Sequence, residues 1–216
     1  MILRDCQIAA DLSALVVSTQ REINHGLFAS FEPIRLWLRE QRHRAPFQKL
    51  LLEFVGPEHE LSMPLTVEGM CWANDVVSAE ELRLGSASNR WVLPRLSSAL
   101  GRISQALHWR LPELETEIAR LSSLDWPITY AFEKLARTPR RGFRIHPWLR
   151  LRPGESVVGA TISGPGTNRE VTLRSAVGPL FLEHEFPIAR AVVENEQYFL
   201  IDRRGFPLAS IDCRPG

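Results

Sequence analysis

The chain has 216 residues, which fits one large domain or two small ones, and its 44% hydrophobic content is enough to bury a proper core. Its 26 lysines and arginines against 25 acidic residues leave a formal net charge of +1, which argues against a general polyanion-binding protein. Only two of the basic residues are lysines, a bias typical of GC-rich genomes, so we expect a bacterial protein.

The cysteines and the N-terminus bear on the compartment. Cys6, Cys71 and Cys213 form no C-x-x-C pair, so neither a zinc ribbon nor a thioredoxin-type site is indicated. No basic N-terminal region leads into a long apolar core, and no apolar run reaches the length of a membrane span. We therefore expect a soluble cytoplasmic protein with reduced thiols.

Helical periodicity dominates the N-terminal and central parts of the chain. Apolar spacing predicts a first helix over residues 9–24, and Pro33 is placed to begin a second helix that ends near residue 42. A longer apolar stripe, interrupted by Pro112, predicts two helices over 94–109 and 112–122. Ile128, Phe132 and Leu135 indicate a further helix after them.

A small β-element interrupts this helical part. Residues 48–55 and 61–72 are apolar and separated by a turn-like Gly-Pro-Glu-His-Glu, which predicts a β-hairpin near 48–72. Ser78 and Glu81 then have the spacing of a capping box, which predicts a short helix ending near Leu84.

From about residue 144 the pattern changes to short apolar runs with glycine-containing turns. The connections are too short for parallel crossovers, so an antiparallel β-meander is predicted. Its predicted strands are 157–163, 170–177, 180–186, 189–194, 198–202 and 206–211. The fold class is therefore α+β, with a mostly helical part over 1–140 and an antiparallel β part over 141–216, in two domains or one continuous domain.

Charge is segregated along the chain. Residues 134–152 hold seven basic residues with Phe143, His146 and Trp148 among them, and no acidic residue stands between Glu133 and Glu155. Residues 50–82 hold seven acidic residues and no lysine or arginine. The two stretches could pair with each other inside the molecule, or each could face a partner.

The sequence shows no motif for a metal, a cofactor or a nucleophile. The six histidines have no metal-ligand spacing, and Glu-His-Glu at 58–60 and 183–185 cannot converge on one ion within a strand. Neither a nucleophile elbow nor a phosphate-binding loop with its lysine is present. We expect no cofactor and no metal site.

One segment resembles a known family. Residues 185–190, together with 198–202 and Gly205, resemble a segment of the FtsQ/DivIB-type cell-division proteins, and residues 146–149 are similar to the pattern upstream of it. In that family the segment begins the β-domain that recruits other division proteins. The resemblance therefore implies a role in protein recruitment.

These observations favour a non-catalytic protein that acts by specific protein–protein recognition, such as an immunity protein or an assembly adaptor. The expected interface contains Arg140, Arg141, Arg144 and Trp148, or the acidic turn with Glu58 and Glu60. One alternative is a nucleic-acid or phosphate-binding protein that uses the arginines of 134–152. Another is an enzyme with a dispersed site, for which His146, His184 and Asp202 are the candidates.

Overall fold

The computed structural model describes residues 1–3, 5–10, 15–140, 142–177, 188–202 and 204–213. It confirms a mixed α+β protein. The chain forms two compact units, Met1–Trp126 and Pro127–Gly216, whereas the sequence pattern placed the division near residue 140. Within the described ranges, no helix combines the length and the apolar character that a membrane crossing requires.

The first unit combines a β-sheet with helices. Its strands are β1 (Asp5–Ala10), β2 (Lys49–Val55), β3 (Leu65–Val67) and β4 (Met70–Val76). Its helices are α1 (Val17–Gln41), α2 (Ala79–Gly85), α3 (Asn89–Leu107) and α4 (Pro112–Ser122). The strand order is β1-β2-β4-β3, in which β2 runs parallel to both of its neighbours and β3 runs antiparallel to β4.

The predicted hairpin over 48–72 is wrong in its pairing. Leu50 lies opposite Cys71 in a parallel register, so β2 and β4 do not form a hairpin. The hairpin in this region joins β3 to β4 through Glu68 and Gly69, whose φ angles of 49° and 81° match a two-residue hairpin turn. Alternating apolar residues identify strands but carry no information on strand direction, which is why the sequence pattern misassigned the pairing.

The two predicted N-terminal helices are also corrected. Residues 5–10 form β1, and one continuous helix, α1, extends from Val17 through Pro33 to Gln41. Much of α1 around Pro33 is buried, and this tertiary packing stabilises the helix although proline cannot donate its backbone hydrogen bond. By contrast, the predicted helices over 94–109 and 112–122 are confirmed as α3 and α4.

The predicted capping box is confirmed as well. The backbone N–H of Glu81 donates to the Ser78 hydroxyl at 3.2 Å, and the N–H of Ser78 donates to the Glu81 carboxylate at 2.9 Å. This reciprocal pair fixes the start of α2 directly after β4.

The second unit is built from antiparallel strands. The first of its two sheets contains β5 (Ile128–Ala131), β6 (Arg137–Arg140), β7 (Phe143–Arg152), β8 (Glu155–Gly164) and β9 (Thr167–Val177). The second contains β10 (Ile188–Glu194), β11 (Gln197–Asp202) and β12 (Pro207–Asp212). The predicted antiparallel strands are confirmed as β8 to β12, whereas β5, β6 and β7 were not among the predicted strands. The predicted strand at 180–186 lies outside the described residues.

The helix predicted around Ile128 is wrong. Ile128 begins β5, and the only helical turn nearby is a single 3-10 turn over Glu133–Leu135. Apolar residues four and three apart suit a helix, but here the alternation of buried Ile128 and Tyr130 with exposed neighbours follows the period of a strand. Because β5 and β6 both pair with β7, residues 128–140 join the second unit.

Candidate functional site

The sheet of the first unit has one face covered by helices. The buried residues of its parallel strands lie in register across the sheet, with Cys6 opposite Leu50 and Leu50 opposite Cys71. Phe54 on the same face of β2 packs against Trp91 of α3, with ring centroids 5.5 Å apart. The hydrophobic core of the unit therefore lies between this face and the helices.

The opposite face of the sheet, which we call the open face, consists of the alternate residues of the same strands. Leu51, Trp72 and Leu65 lie side by side on it, and Val67 lies beside Met70. Leu65 and Val67 are 54% and 50% exposed, and Leu51, Met70 and Trp72 are only partly buried. Parallel strands usually have both faces covered, so an apolar face over which the described residues of the first unit leave Leu65 and Val67 exposed is unusual for them.

The apolar surface continues into the loop that precedes β3. Leu61 and Met63 stand at the same two-residue spacing before Leu65 and are 53% and 73% exposed. A contiguous run of exposed apolar side chains of this kind usually marks an interaction site. Because β3 is the outer strand of the sheet order, the run lies along a sheet edge.

The loop over residues 56–64 is anchored to the sheet by Asn74, a buried residue of β4. The Asn74 Oδ1 accepts hydrogen bonds from the backbone N–H and the hydroxyl of Ser62, both at 2.9 Å. Its Nδ2 donates to the backbone oxygen of Glu60 at 2.8 Å. These three bonds hold the exposed Glu58 and Glu60 at the end of the open face, beside the carboxyl ends of β2 and β4.

Acidic side chains border the open face. Glu58, Glu60 and Glu68 are exposed, and Glu68 occupies the hairpin turn with its φ of 49°. A left-handed conformation is unfavourable for glutamate and is adopted mainly by glycine or asparagine. The face also carries Lys49 of β2, which lies beside Met70, and Asp5 of β1, which lies opposite Lys49, so the unbalanced negative charge is concentrated in the loop with Glu58 and Glu60.

A pocket of about 550 Å³ lies on the open face at the carboxyl ends of β2 and β4. Concave sites at this end of parallel strands are common binding positions. Glu53 and Trp72 form part of its wall, and the Trp72 indole N–H donates to the Glu53 carboxylate at 2.7 Å. The lining residues are Glu53, Val55, His59, Glu60, Ser62, Trp72 and Asn74.

The arginine-rich segment 134–152 lies largely on β7, whose three arginines have acidic neighbours, whereas Arg137 of β6 donates to the backbone oxygens of Lys134 and Ala136. Glu133 lies 2.8 Å from His146 and 3.7 Å from Arg144. Arg150 pairs with Glu170 at 3.0 Å, and Arg152 pairs with Glu155. Glu133, Glu155 and Glu170 all belong to the second unit. They compensate part of the positive charge of this surface without any contribution from the acidic residues 50–82 of the first unit.

Trp148 is a packing residue of this sheet. It is 5% exposed, so its ring is not free to contact a partner. The ring lies against Gly159 of β8 and under the guanidinium of Arg150, whose Cζ is 4.4 Å from the ring centroid. Arg141 and the side chain of Arg140 lie outside the described residues.

The residues considered for a dispersed enzyme site are not brought together by anything described. His146 contacts Glu133 on the outer face of β7, while His184 and the side chain of Asp202 lie outside the described residues. Residues 183–185 lie there too, so the paired Glu-His-Glu motifs have no described geometry. Among the described side chains, no group of three or more His, Cys, Asp or Glu is arranged to hold a metal ion.

Sequence reasoning found the acidic turn but missed the apolar run beside it. The signal was available, because Leu61, Met63, Leu65 and Val67 alternate with Ser62, Pro64 and Thr66, as expected for one apolar side of an extended chain. What the sequence does not contain is that the helices would cover only one face of the sheet.

No protein-family model matches this chain, and it has no significant match among curated proteins or among solved structures.

Proposed function

We propose that this chain is a non-catalytic bacterial protein that recognises another protein through the open face of its first unit, as an immunity protein or an assembly adaptor does. The observation that carries the proposal is the exposure of Leu65 and Val67, together with Leu61 and Met63, on a sheet whose other face is covered by helices. Leaving such side chains in water costs free energy that partner binding recovers.

The charge around the open face defines the chemistry of the partner. Glu58, Glu60 and Glu68 border the apolar side chains, and Lys49 at the start of β2 lies on the same face at the end opposite to Glu58 and Glu60. A complementary partner presents an apolar segment flanked by lysine or arginine. Such charge complementarity raises the association rate and selects among partners. The buried thiols of Cys6 and Cys71 support a reducing compartment, as expected for the cytoplasm.

The test is affinity capture from lysate of the source cells with and without nuclease, using the wild-type chain and two variants. The double variant Leu65→Lys, Val67→Lys places two cations on the open face. Leu84→Lys is the matched control, because Leu84 is 66% exposed on α2 and lies away from that face. We expect one protein to be recovered in near-stoichiometric amount by the wild type and the control, and to be lost from the double variant.

Two results would count against the proposal. If the double variant captured the same protein as the wild type, the open face would not be the interface. If the captured material disappeared after nuclease treatment, the function would move to nucleic-acid binding through the arginines of β7, of which Arg144 is 58% exposed.

A further inference from the structure

The pocket on the open face has a marked imbalance between hydrogen-bond donors and acceptors. The indole N–H of Trp72 is used by Glu53, and the N–H and hydroxyl of Ser62 are used by Asn74. The amide of Asn74 donates in turn to the backbone oxygen of Glu60. The hydrogen bonds donated by Trp72, Ser62 and Asn74 are therefore used within the wall itself. The imidazole of His59, which also lines the pocket, lies 3.6 Å from the carboxylate of Glu58.

The wall of the pocket also contains strong hydrogen-bond acceptors without a described donor. Within the described part of the chain, the Oε1 of Glu53 and the carboxylate of Glu60 accept no hydrogen bond. The described cation next to this site, Arg102, donates to the backbone oxygen of Asn74 and is not among the residues that line the pocket. A ligand that satisfies this wall must bring donors and positive charge, because an anion would be repelled by two carboxylates.

The aromatic part of the wall suits the same ligand. An arginine or lysine stacked on an indole gains a cation–π interaction. Among the described residues this contact occurs twice, with the Cζ of Arg95 4.2 Å from the ring centroid of Trp91 and that of Arg150 4.4 Å from Trp148. In the pocket, no arginine of the described part of the chain stacks on Trp72, and the carboxylates of Glu53 and Glu60 line the same wall.

We propose that this pocket binds a cationic side chain, an arginine or a lysine, from the protein that docks on the open face. The proposal deepens the proposed function and rests on it for the source of the cation. Glu53 and Glu60 receive the donors of the cation, and Trp72 packs on its planar or aliphatic part. The pocket thereby supplies specificity, while the apolar run beside it supplies buried area.

The preference of the pocket can be measured without the partner. The probe is N-acetyl-arginine amide, titrated into the ¹⁵N-labelled full chain and followed at the indole N–H resonance of Trp72, which the Trp72→Phe variant assigns. N-acetyl-citrulline amide is the comparison, because it has the same shape without the charge. We expect saturable binding of the arginine probe in the millimolar range and no saturable shift with the citrulline probe.

Charge-neutral variants test the residues. Glu53→Gln and Glu60→Gln keep an acceptor oxygen for the local hydrogen bonds and are each expected to weaken probe binding about tenfold. Glu113→Gln, at an exposed acid of α4, is the matched control and should bind the probe as the wild type does. Equal shifts with both probes, or equal binding by the two pocket variants and the control, would overturn the proposal.

The outcomes separate this proposal from the proposed function. If the arginine probe binds but the Leu65→Lys, Val67→Lys variant still captures the protein that the wild type captures, the pocket is cation-selective and the proposed function is wrong. If capture depends on Leu65 and Val67 but the probe does not bind, the open face is an interface and the cation pocket is wrong.

Discussion

Replacing Gly159 by alanine tests whether Trp148 belongs to the packing of the second unit or to a binding surface. A Cβ at this position would lie 2.3 Å and 2.4 Å from two carbons of the Trp148 ring, and 2.7 Å from the backbone oxygen of Val171. The ring is buried and lies in register with Gly159, so it has no space into which it can move without leaving the sheet. The methyl group therefore forces either the ring or the strand to shift.

The expected cost is large for a change of one methyl group. Overpacking a filled site costs about 1–3 kcal/mol. Because one of the three contacts is to a backbone oxygen on the neighbouring strand, rotation of a side chain cannot relieve it, and we expect a loss of about 3 kcal/mol. Trp148→Phe removes the ring carbons that clash, and within the described residues the Trp148 Nε1 has no hydrogen bond to lose. The Trp148→Phe, Gly159→Ala double variant should therefore recover much of the loss.

Native-state amide hydrogen exchange is the appropriate assay, because it reports the stability of β7 and β8 separately from that of the first unit. Gly101→Ala is the control: a Cβ at this exposed position of α3 has no neighbour within 4 Å, and we expect it to stabilise the helix by about 0.5–1 kcal/mol. Unchanged protection of β7 and β8 in Gly159→Ala would refute the packing role of Trp148 and would restore it as a candidate surface residue.

Three further predictions concern single sites. Glu68→Asn should raise the free energy of unfolding by about 1 kcal/mol, measured by chemical unfolding, because asparagine tolerates the left-handed turn. The same change should weaken partner binding, because it removes a charge beside the open face. Glu32 is 1% exposed and is paired with Arg35 at 2.6 Å. Burial raises the pKa of the Glu32 carboxyl, so the protonated carboxyl favours the folded state. This stabilisation is present at low pH and is lost as the pH rises through the raised pKa. Unfolding free energies measured from acid to neutral pH should therefore decline for the wild type relative to Glu32→Gln, and parallel curves would contradict this. Arg144→Ala should change stability by less than about 1 kcal/mol, since its pair with Glu133 is exposed, and a larger fall in melting temperature would show that the pair is structural.

Local signals in the sequence were sufficient where local interactions determine the structure. The apolar stripe around Pro112 gave α3 and α4, and Ser78 with Glu81 gave the start of α2. The short turns of the second unit gave its antiparallel strands, because the two-residue connections from β7 to β8 and from β8 to β9 allow no other pairing. These features depend on contacts between residues close in the chain.

The predictions that were wrong concern features determined by contacts between residues that are distant in the chain. The parallel pairing of β1 with β2 depends on the crossover through α1, and that of β2 with β4 depends on the connection over residues 56–69, which contains β3. The continuity of α1 across Pro33 depends on burial. The candidate site shares this dependence. Glu58 and Glu60 were found as an acidic turn, but their place beside an uncovered apolar sheet face follows from the way the helices pack. Trp148 was named as a candidate interface residue because tryptophan and arginine often dominate interfaces, whereas the structure packs its ring against Gly159 on the next strand.

The most direct test of the proposed role is a hydrogen-exchange footprint of the full chain with and without the protein it captures. We predict protection on binding over residues 58–76, which include β3, β4 and the acidic loop, with little change over residues 134–152. Protection confined to 134–152, with 58–76 unchanged, would contradict the assignment of the open face as the interface and would place recognition on the arginines of β7.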